Sequence, residues 1–217
     1  GELQPLKKTH ERYADVFAKL GYPIDLTKHQ FPVRKVISAK TQEIIGLSSK
    51  KFIGVAPFAA HRGKMYPLQL IKQVIAQLSN SGDYAVFLFG GGATETAKLD
   101  KLASDFKGVT NMAGKLSFTQ ELQLISNLDV MLAMDSGNGH LAALYDIEVL
   151  TIWGVTHPFL GFAPFNQPNE NQLLADRTKY PLVPTSVYGN TYPDGYEKAI
   201  ETISPSAIVE KVLSVLT

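Results

Sequence analysis

Hydrophobic residues along this chain fall into short continuous runs separated by segments with helical periodicity. The runs predict five strands, at residues 52–56, 84–89, 109–112, 129–133 and 149–153. Helices are predicted at about residues 67–78, 94–105, 117–127, 140–145 and 204–216. Continuous apolar runs are typical of strands buried on both faces. Their alternation with helices predicts an α/β fold, a Rossmann-like doubly wound parallel sheet.

The chain begins with a different pattern. Residues 7–20 repeat apolar side chains at helical spacing and predict an amphipathic helix. Residues 22–50 have mixed polarity and predict a linker with one short strand, Val33 to Ile37. We therefore expect an interdomain helix and linker at 1–48, followed by one domain at 49–217. The stretch 154–196 is rich in Pro, Gly and Asn, which predicts loops.

Composition narrows the classes of function. The 217 residues carry 21 basic and 20 acidic side chains, a net charge of +1. This balance argues against bulk attraction to nucleic acid or to an anionic membrane, so an anion must be bound locally. The chain has no cysteine, which excludes a disulfide scaffold and suits the cytoplasm. No apolar run approaches the length of a membrane span.

Ligands of open parallel sheets bind at the carboxyl ends of the strands, and four loops there carry unusual residues. In the first loop, Arg62 and Lys64 precede a predicted helix. Free N–H groups, the helix dipole and two cations favour an anion, so the loop predicts phosphate binding. The alternative is a basic loop that is simply solvated.

The second and third loops follow the next two strands. Gly91 lies in a run of three glycines that permits close approach of a ligand, and Glu95 follows it. Glu95 could accept hydrogen bonds from ribose hydroxyls. The alternative is that its negative charge only complements the helix dipole. Leu116 could pack against the face of a nucleotide base. The alternative is that it is an ordinary core residue. The glycines do not match G-x-G-x-x-G, so a dinucleotide-binding dehydrogenase is not favoured.

The fourth loop is the strongest candidate site. Asp135, Ser136 and Gly137 lead from a buried strand into a short helix that contains His140. Ser136 and His140 can donate to a phosphate or sugar oxygen, beside helix N–H groups that point outward. Asp135 can accept from a sugar hydroxyl. The alternative is that Asp135 caps the helix and His140 is a core residue.

Two other chemistries fit less well. Ser136 lacks the G-x-S-x-G turn of a serine hydrolase, and His140 is too close along the helix to serve as its base. No two histidines have H-x-x-x-H spacing, so the sequence predicts no metal site.

Taken together and in order, the loops resemble glycosyltransferase family 9, the ADP-heptose:lipopolysaccharide heptosyltransferases. The resemblance is to the C-terminal, donor-binding domain of these enzymes. The segments that carry it are Lys64–Pro67, Glu95, Lys115–Ser117, Asp135–His140 and Trp153–Pro158. The segment His10–Tyr13 is similar to the connection between the two halves of such enzymes.

The resemblance implies the C-terminal half of a GT-B glycosyltransferase, in which two Rossmann-like domains face each other. Lys64 and the turn from Asp135 to His140 would hold a nucleoside diphosphate, Glu95 the ribose and Leu116 the base. Fixed donors rather than a metal would stabilise the leaving group, so no cofactor is expected. The acceptor would be a lipopolysaccharide core.

Two departures from the family pattern limit this expectation. Ala59 and Ala60 stand where family members often carry hydroxyl residues, which puts the identity or affinity of the donor in doubt. The family's proposed catalytic base lies in an N-terminal acceptor domain that we expect to be absent. We therefore expect this chain to bind donor weakly without turnover, and the full-length enzyme to associate peripherally with the inner face of the inner membrane.

Two alternatives stay open at this point. One is another GT-B enzyme, such as a UDP-sugar epimerase, which a preference for UDP over ADP would favour. The other is a non-catalytic nucleotide-binding module that has kept the fold, for which Ala59 and Ala60 are the best support.

Overall fold

The computed structural model describes residues 3–46 and 49–216. The predicted boundary between linker and domain lies between residues 48 and 49, and residues 47 and 48 fall outside the described residues. Six parallel strands form one sheet: β1 (Lys51–Ala56), β2 (Tyr84–Leu88), β3 (Val109–Asn111), β4 (Val130–Met134), β5 (Glu148–Trp153) and β6 (Gln172–Leu174). The spatial order is β3-β2-β1-β4-β5-β6. Winding reverses between β1 and β4, so the predicted doubly wound α/β fold is confirmed.

Helices cover both faces of this sheet. They are α2 (Ala39–Ile45), α3 (Leu68–Asn80), α4 (Gly92–Ser104), α5 (Phe118–Ile125), α6 (Gly137–Ala143) and α7 (Pro205–Leu216), whereas α1 (Thr9–Lys19) has no buried residue. Apolar residues of α3, α4 and α7 form the core on one face, and those of α5 and α6 form it on the other. Every residue of β4 is buried, as its unbroken apolar run predicts. Within the described residues, no helix is long and apolar enough to cross a membrane.

Three predicted details are wrong. The sheet has six strands rather than five, because the short segment β6 pairs with β5 at the edge. The strand predicted at 33–37 is absent: the backbone N–H of Lys35 donates to the Ser126 hydroxyl instead of to a neighbouring strand. The linker contains a helix, α2, whose start is capped by the side chain of Ser38.

The chain before the sheet wraps around the domain. Backbone N–H groups of Leu6 and Thr9 donate to the carbonyls of Phe159 and Gly161, both at 2.8 Å. Helix α1 confirms the predicted amphipathic helix, although none of its residues is buried. This arrangement carries the linker past the first turn of α6, where the strongest sequence motif lies.

Candidate functional site

The centre of the candidate site is an ion pair at the switch point of the sheet. Lys64 ends a short 3-10 turn, Arg62–Lys64, after β1, and Asp135 follows β4 directly. The Lys64 Nζ lies 2.7 Å from the Asp135 Oδ2, and the two side chains are only 13% and 8% exposed. Adjacent parallel strands bring their carboxyl ends together, which is why these distant residues meet.

The loop after β5 completes this centre. The Thr156 hydroxyl donates to the Asp135 Oδ2 at 3.0 Å. The Val155 N–H donates to the Gly63 carbonyl at 3.0 Å, and a Cβ at Gly154 would lie only 2.2 Å from that oxygen. Thr156 was not among the predicted site residues, although it lies within a segment that carries the family resemblance.

Gly189 lies against the aliphatic part of Lys64 and close to Thr156. Its backbone has a φ of +72°, and a Cβ there would lie 2.8 Å from the Lys64 Cγ. Glycine suits both demands, since it adopts positive φ without strain and has no side chain. No local pattern in the sequence connects Gly189 with Lys64, so sequence reasoning missed it.

Ser136 and Gly137 form the turn into α6. Ser136 is the N-cap, but its side chain does not cap the helix. The Ser136 Oγ is buried, and it has no hydrogen-bond partner within residues 3–46 and 49–216. At Gly137 nothing lies within 4 Å of the position of a Cβ. A buried hydroxyl without a partner is costly, so the turn offers a donor that a ligand oxygen can satisfy.

His140 lies in the first turns of α6 beside this centre. Burial lowers its pKa, while the Asp135 carboxylate raises it and the Lys64 ammonium lowers it further. His140 is nevertheless exposed to solvent, so a ligand can reach it. The lowered pKa favours a neutral imidazole at pH 7, which donates from one ring nitrogen and accepts with the other.

Glu95 and Gly91 contact each other after β2. The Gly91 N–H donates to the Glu95 Oε2 at 2.8 Å. Glu95 therefore holds the glycine turn in this conformation. Gly91 itself is exposed, with nothing within 4 Å of the position of a Cβ, so the turn is open to an approaching ligand.

Leu116 and Arg62 occupy different surroundings. Leu116 is half-buried and packs against the core beneath α5 and α6. Arg62 is exposed and lines a cavity of about 380 Å³ with Phe58 and Lys98. The described residues show no ion pair between Arg62 and Asp135. The structure thus brings Lys64, Asp135 and His140 together, and it directs Arg62 to a separate cavity.

In the part of the chain that the structure describes, no group of three or more His, Asp or Glu side chains could hold a metal ion.

Comparison with known proteins identifies relatives of this chain. The model of glycosyltransferase family 9 (heptosyltransferase) matches residues 4–191. Lipooligosaccharide heptosyltransferase 2 of Campylobacter jejuni serotype O:2 is 24% identical over 174 residues, which are 78% of this chain and 52% of the relative. Lipopolysaccharide heptosyltransferase 3 of Escherichia coli K12 is 28% identical over 160 residues, 71% of this chain and 46% of the relative.

Solved structures share the fold. The structure of E. coli ADP-heptose LPS heptosyltransferase II superposes with a TM-score of 0.67 at 20% identity and covers 99% of this chain. This chain covers 62% of that structure. It spans about half the length of the curated relatives that it matches, from 46% to 53%.

Proposed function

Because the chain belongs to glycosyltransferase family 9, whose model matches most of it, we propose that it is the donor-binding part of a heptosyltransferase. The donor is ADP-heptose, and the acceptor is a sugar of the lipopolysaccharide core. The names of the relatives support this donor and this acceptor. Residues 49–217 form the donor-binding domain, and residues 1–48 connect it to an acceptor domain.

The observation that carries this proposal is the centre formed by Lys64, Asp135, Ser136 and His140. Lys64 has three N–H donors, of which Asp135 uses one. The remaining donors, the Ser136 hydroxyl, the outward N–H groups at Gly137 and the His140 ring can all serve diphosphate oxygens. Asp135 holds Lys64 in place and keeps carboxylate lone pairs for a sugar hydroxyl.

The nucleoside extends from this centre across the ends of β1, β2 and β3. Glu95 binds the ribose hydroxyls after exchanging or sharing its contact with the Gly91 N–H. Leu116 covers one face of the base with its exposed part. Arg62 binds the donor only if its side chain turns away from the cavity that it lines.

The reaction in this proposal depends on fixed hydrogen-bond donors. Negative charge develops on the departing ADP, and Lys64, Ser136 and His140 stabilise this charge. Fixed donors are effective there because they need not reorganise as the charge develops. The proposed step requires no metal and no cofactor. The general base that activates the acceptor hydroxyl belongs to the acceptor domain, so we assign no catalytic base among these residues.

Calorimetric titration with ADP, ADP-heptose and UDP tests the proposal. We expect ADP to bind, and we expect Lys64→Ala combined with His140→Ala to weaken binding about tenfold or more, since charge-assisted hydrogen bonds are lost. Lys72→Ala is the matched control, because Lys72 pairs with Asp105 on the surface. Unchanged ADP binding in the double variant would contradict the site, and tighter binding of UDP would favour an epimerase.

A further inference from the structure

A cavity of about 350 Å³ lies beside His140, along the outer side of α6. Its volume falls in the range of about 300–1,000 Å³ that is usual for small-molecule sites. Its walls are His29, Gln30, Phe31, Pro32, His140, Leu144 and Phe165. None of these is an Asp, Glu, Lys or Arg, so the cavity contrasts with the charged Lys64–Asp135 centre and suits a neutral ligand.

The aromatic walls are held in place before any ligand arrives. The Phe165 ring meets His29 edge to face at 4.9 Å between ring centroids, and it meets Phe31 at 6.1 Å. His10 packs against Phe165 at 5.0 Å. His29 and Phe31 also contact each other at 4.7 Å. Rings that are fixed in this way offer apolar surface at little cost in entropy.

His29 gives the cavity a directed polar group. Its Nδ1 lies 2.9 Å from the Leu26 carbonyl oxygen, which can only accept, so Nδ1 carries the proton. The Nε2 of the neutral ring is then an acceptor. Gln30 and His140 add donors and acceptors at the edges of the same cavity. Apolar ring faces with a few polar groups match a sugar ring, which has C–H faces and hydroxyl edges.

We propose that this cavity is a subsite for a pyranose ring, which rests on the proposed placement of the donor diphosphate at His140. His140 borders both sites, and the sugar of a nucleoside diphosphate sugar is bonded directly to the terminal phosphate, so it lies next to a bound diphosphate. Two sugars have this chemistry: the sugar that the donor transfers and the acceptor sugar that receives it. Phe165 is the residue that contacts the other aromatic walls, so its replacement tests the subsite directly.

Affinities for ADP and ADP-heptose are compared in the wild type, in Phe165→Ala and in Phe162→Ala. Phe162 is the matched control, because it lies in the same loop but contacts Tyr188 and Arg12 instead. For a donor-sugar subsite, we expect ADP-heptose to bind more tightly than ADP. Phe165→Ala then reduces this advantage about tenfold and leaves the affinity for ADP unchanged. Phe162→Ala preserves both affinities.

A methyl glycoside added in the presence of ADP distinguishes the acceptor sugar. Two results together assign the cavity to the acceptor sugar. The glycoside shows proton NOEs to the Phe31 and Phe165 rings, and Phe165→Ala does not change how much more tightly ADP-heptose binds than ADP. Phe165→Leu, which keeps an apolar side chain without a ring, must lose the NOEs to Phe31 as well, and thermal unfolding verifies that both variants fold. If Phe165→Ala changes the binding of neither ADP-heptose nor the glycoside, the proposed subsite is wrong. Glycoside contacts without ADP binding contradict the proposed function and leave the subsite standing.

Discussion

His157 links the pH of the solution to the stability of the loop that supports Asp135. It directly follows Thr156, is 5% exposed, and accepts a hydrogen bond from the Phe159 N–H with its Nδ1 at 3.1 Å. Burial lowers the pKa of His157 from 6.5 to about 4, and the positive charge of Arg177 acts in the same direction. The folded state therefore favours the neutral ring.

The size of the effect follows from these two pKa values. Their difference of about 2.5 corresponds, at about 1.4 kcal/mol per unit, to about 3 kcal/mol in total. Because the unfolded chain takes up the proton first, this stability is complete above pH 6.5 and declines as the pH falls toward 4. Between pH 7 and pH 5 the loss is about 2 kcal/mol.

Urea unfolding of the wild type and of His157→Asn at pH 7 and pH 5 measures this contribution. Asparagine keeps a side-chain oxygen that can cap the turn but does not titrate. When the pH falls from 7 to 5, we expect the free energy of unfolding to decrease by about 2 kcal/mol more in the wild type than in the variant. The pKa values of His10 and His140 are also lowered by burial, so the variant keeps a residual dependence of the same sign. Equal pH dependence in the two proteins would contradict a neutral, buried His157 in the folded state.

Three further substitutions test the packing around the site. Gly154→Ala places a Cβ against the Gly63 carbonyl, so we expect a loss of about 3 kcal/mol in urea unfolding; an unchanged midpoint would contradict this close approach. Tyr66→Phe removes the hydroxyl that donates to the buried Ile203 carbonyl at 2.5 Å, which should lower the free energy of unfolding by about 1–3 kcal/mol. Ser117→Ala removes the cap of α5 and should cost about 1 kcal/mol, with Ser117→Asn restoring most of it.

The main strands and helices could be predicted from sequence because their signals are local. The unbroken apolar runs of β1, β2, β4 and β5 mark strands that helices cover on both sides. Ser117 caps the start of α5, close to the predicted helix start at residue 117, and Gln120 completes its capping box. Such patterns depend only on neighbours along the chain, so the doubly wound fold followed from them.

The elements that were missed depend on partners far along the chain. Strand β6 has only three residues, Gln172–Leu174, and exists because the edge of β5 is available for pairing. Residues 33–37 have the composition of a strand, but the backbone N–H and carbonyl of Lys35 form hydrogen bonds with the side chains of Ser126 and Asn127, just past the end of α5. Short segments carry too little periodicity to decide between such outcomes.

At the site, local sequence patterns identify the loops, whereas folding brings particular side chains together. The order of motifs pointed to Lys64 and to the turn from Asp135 to His140, since each follows a buried strand. Only the folded sheet showed that Lys64 pairs with Asp135. It also showed that Thr156 and Gly189 enclose this pair, and that Arg62 faces elsewhere. Sequence spacing records which strand a residue follows, whereas the direction of its side chain depends on packing against residues from other elements of the fold.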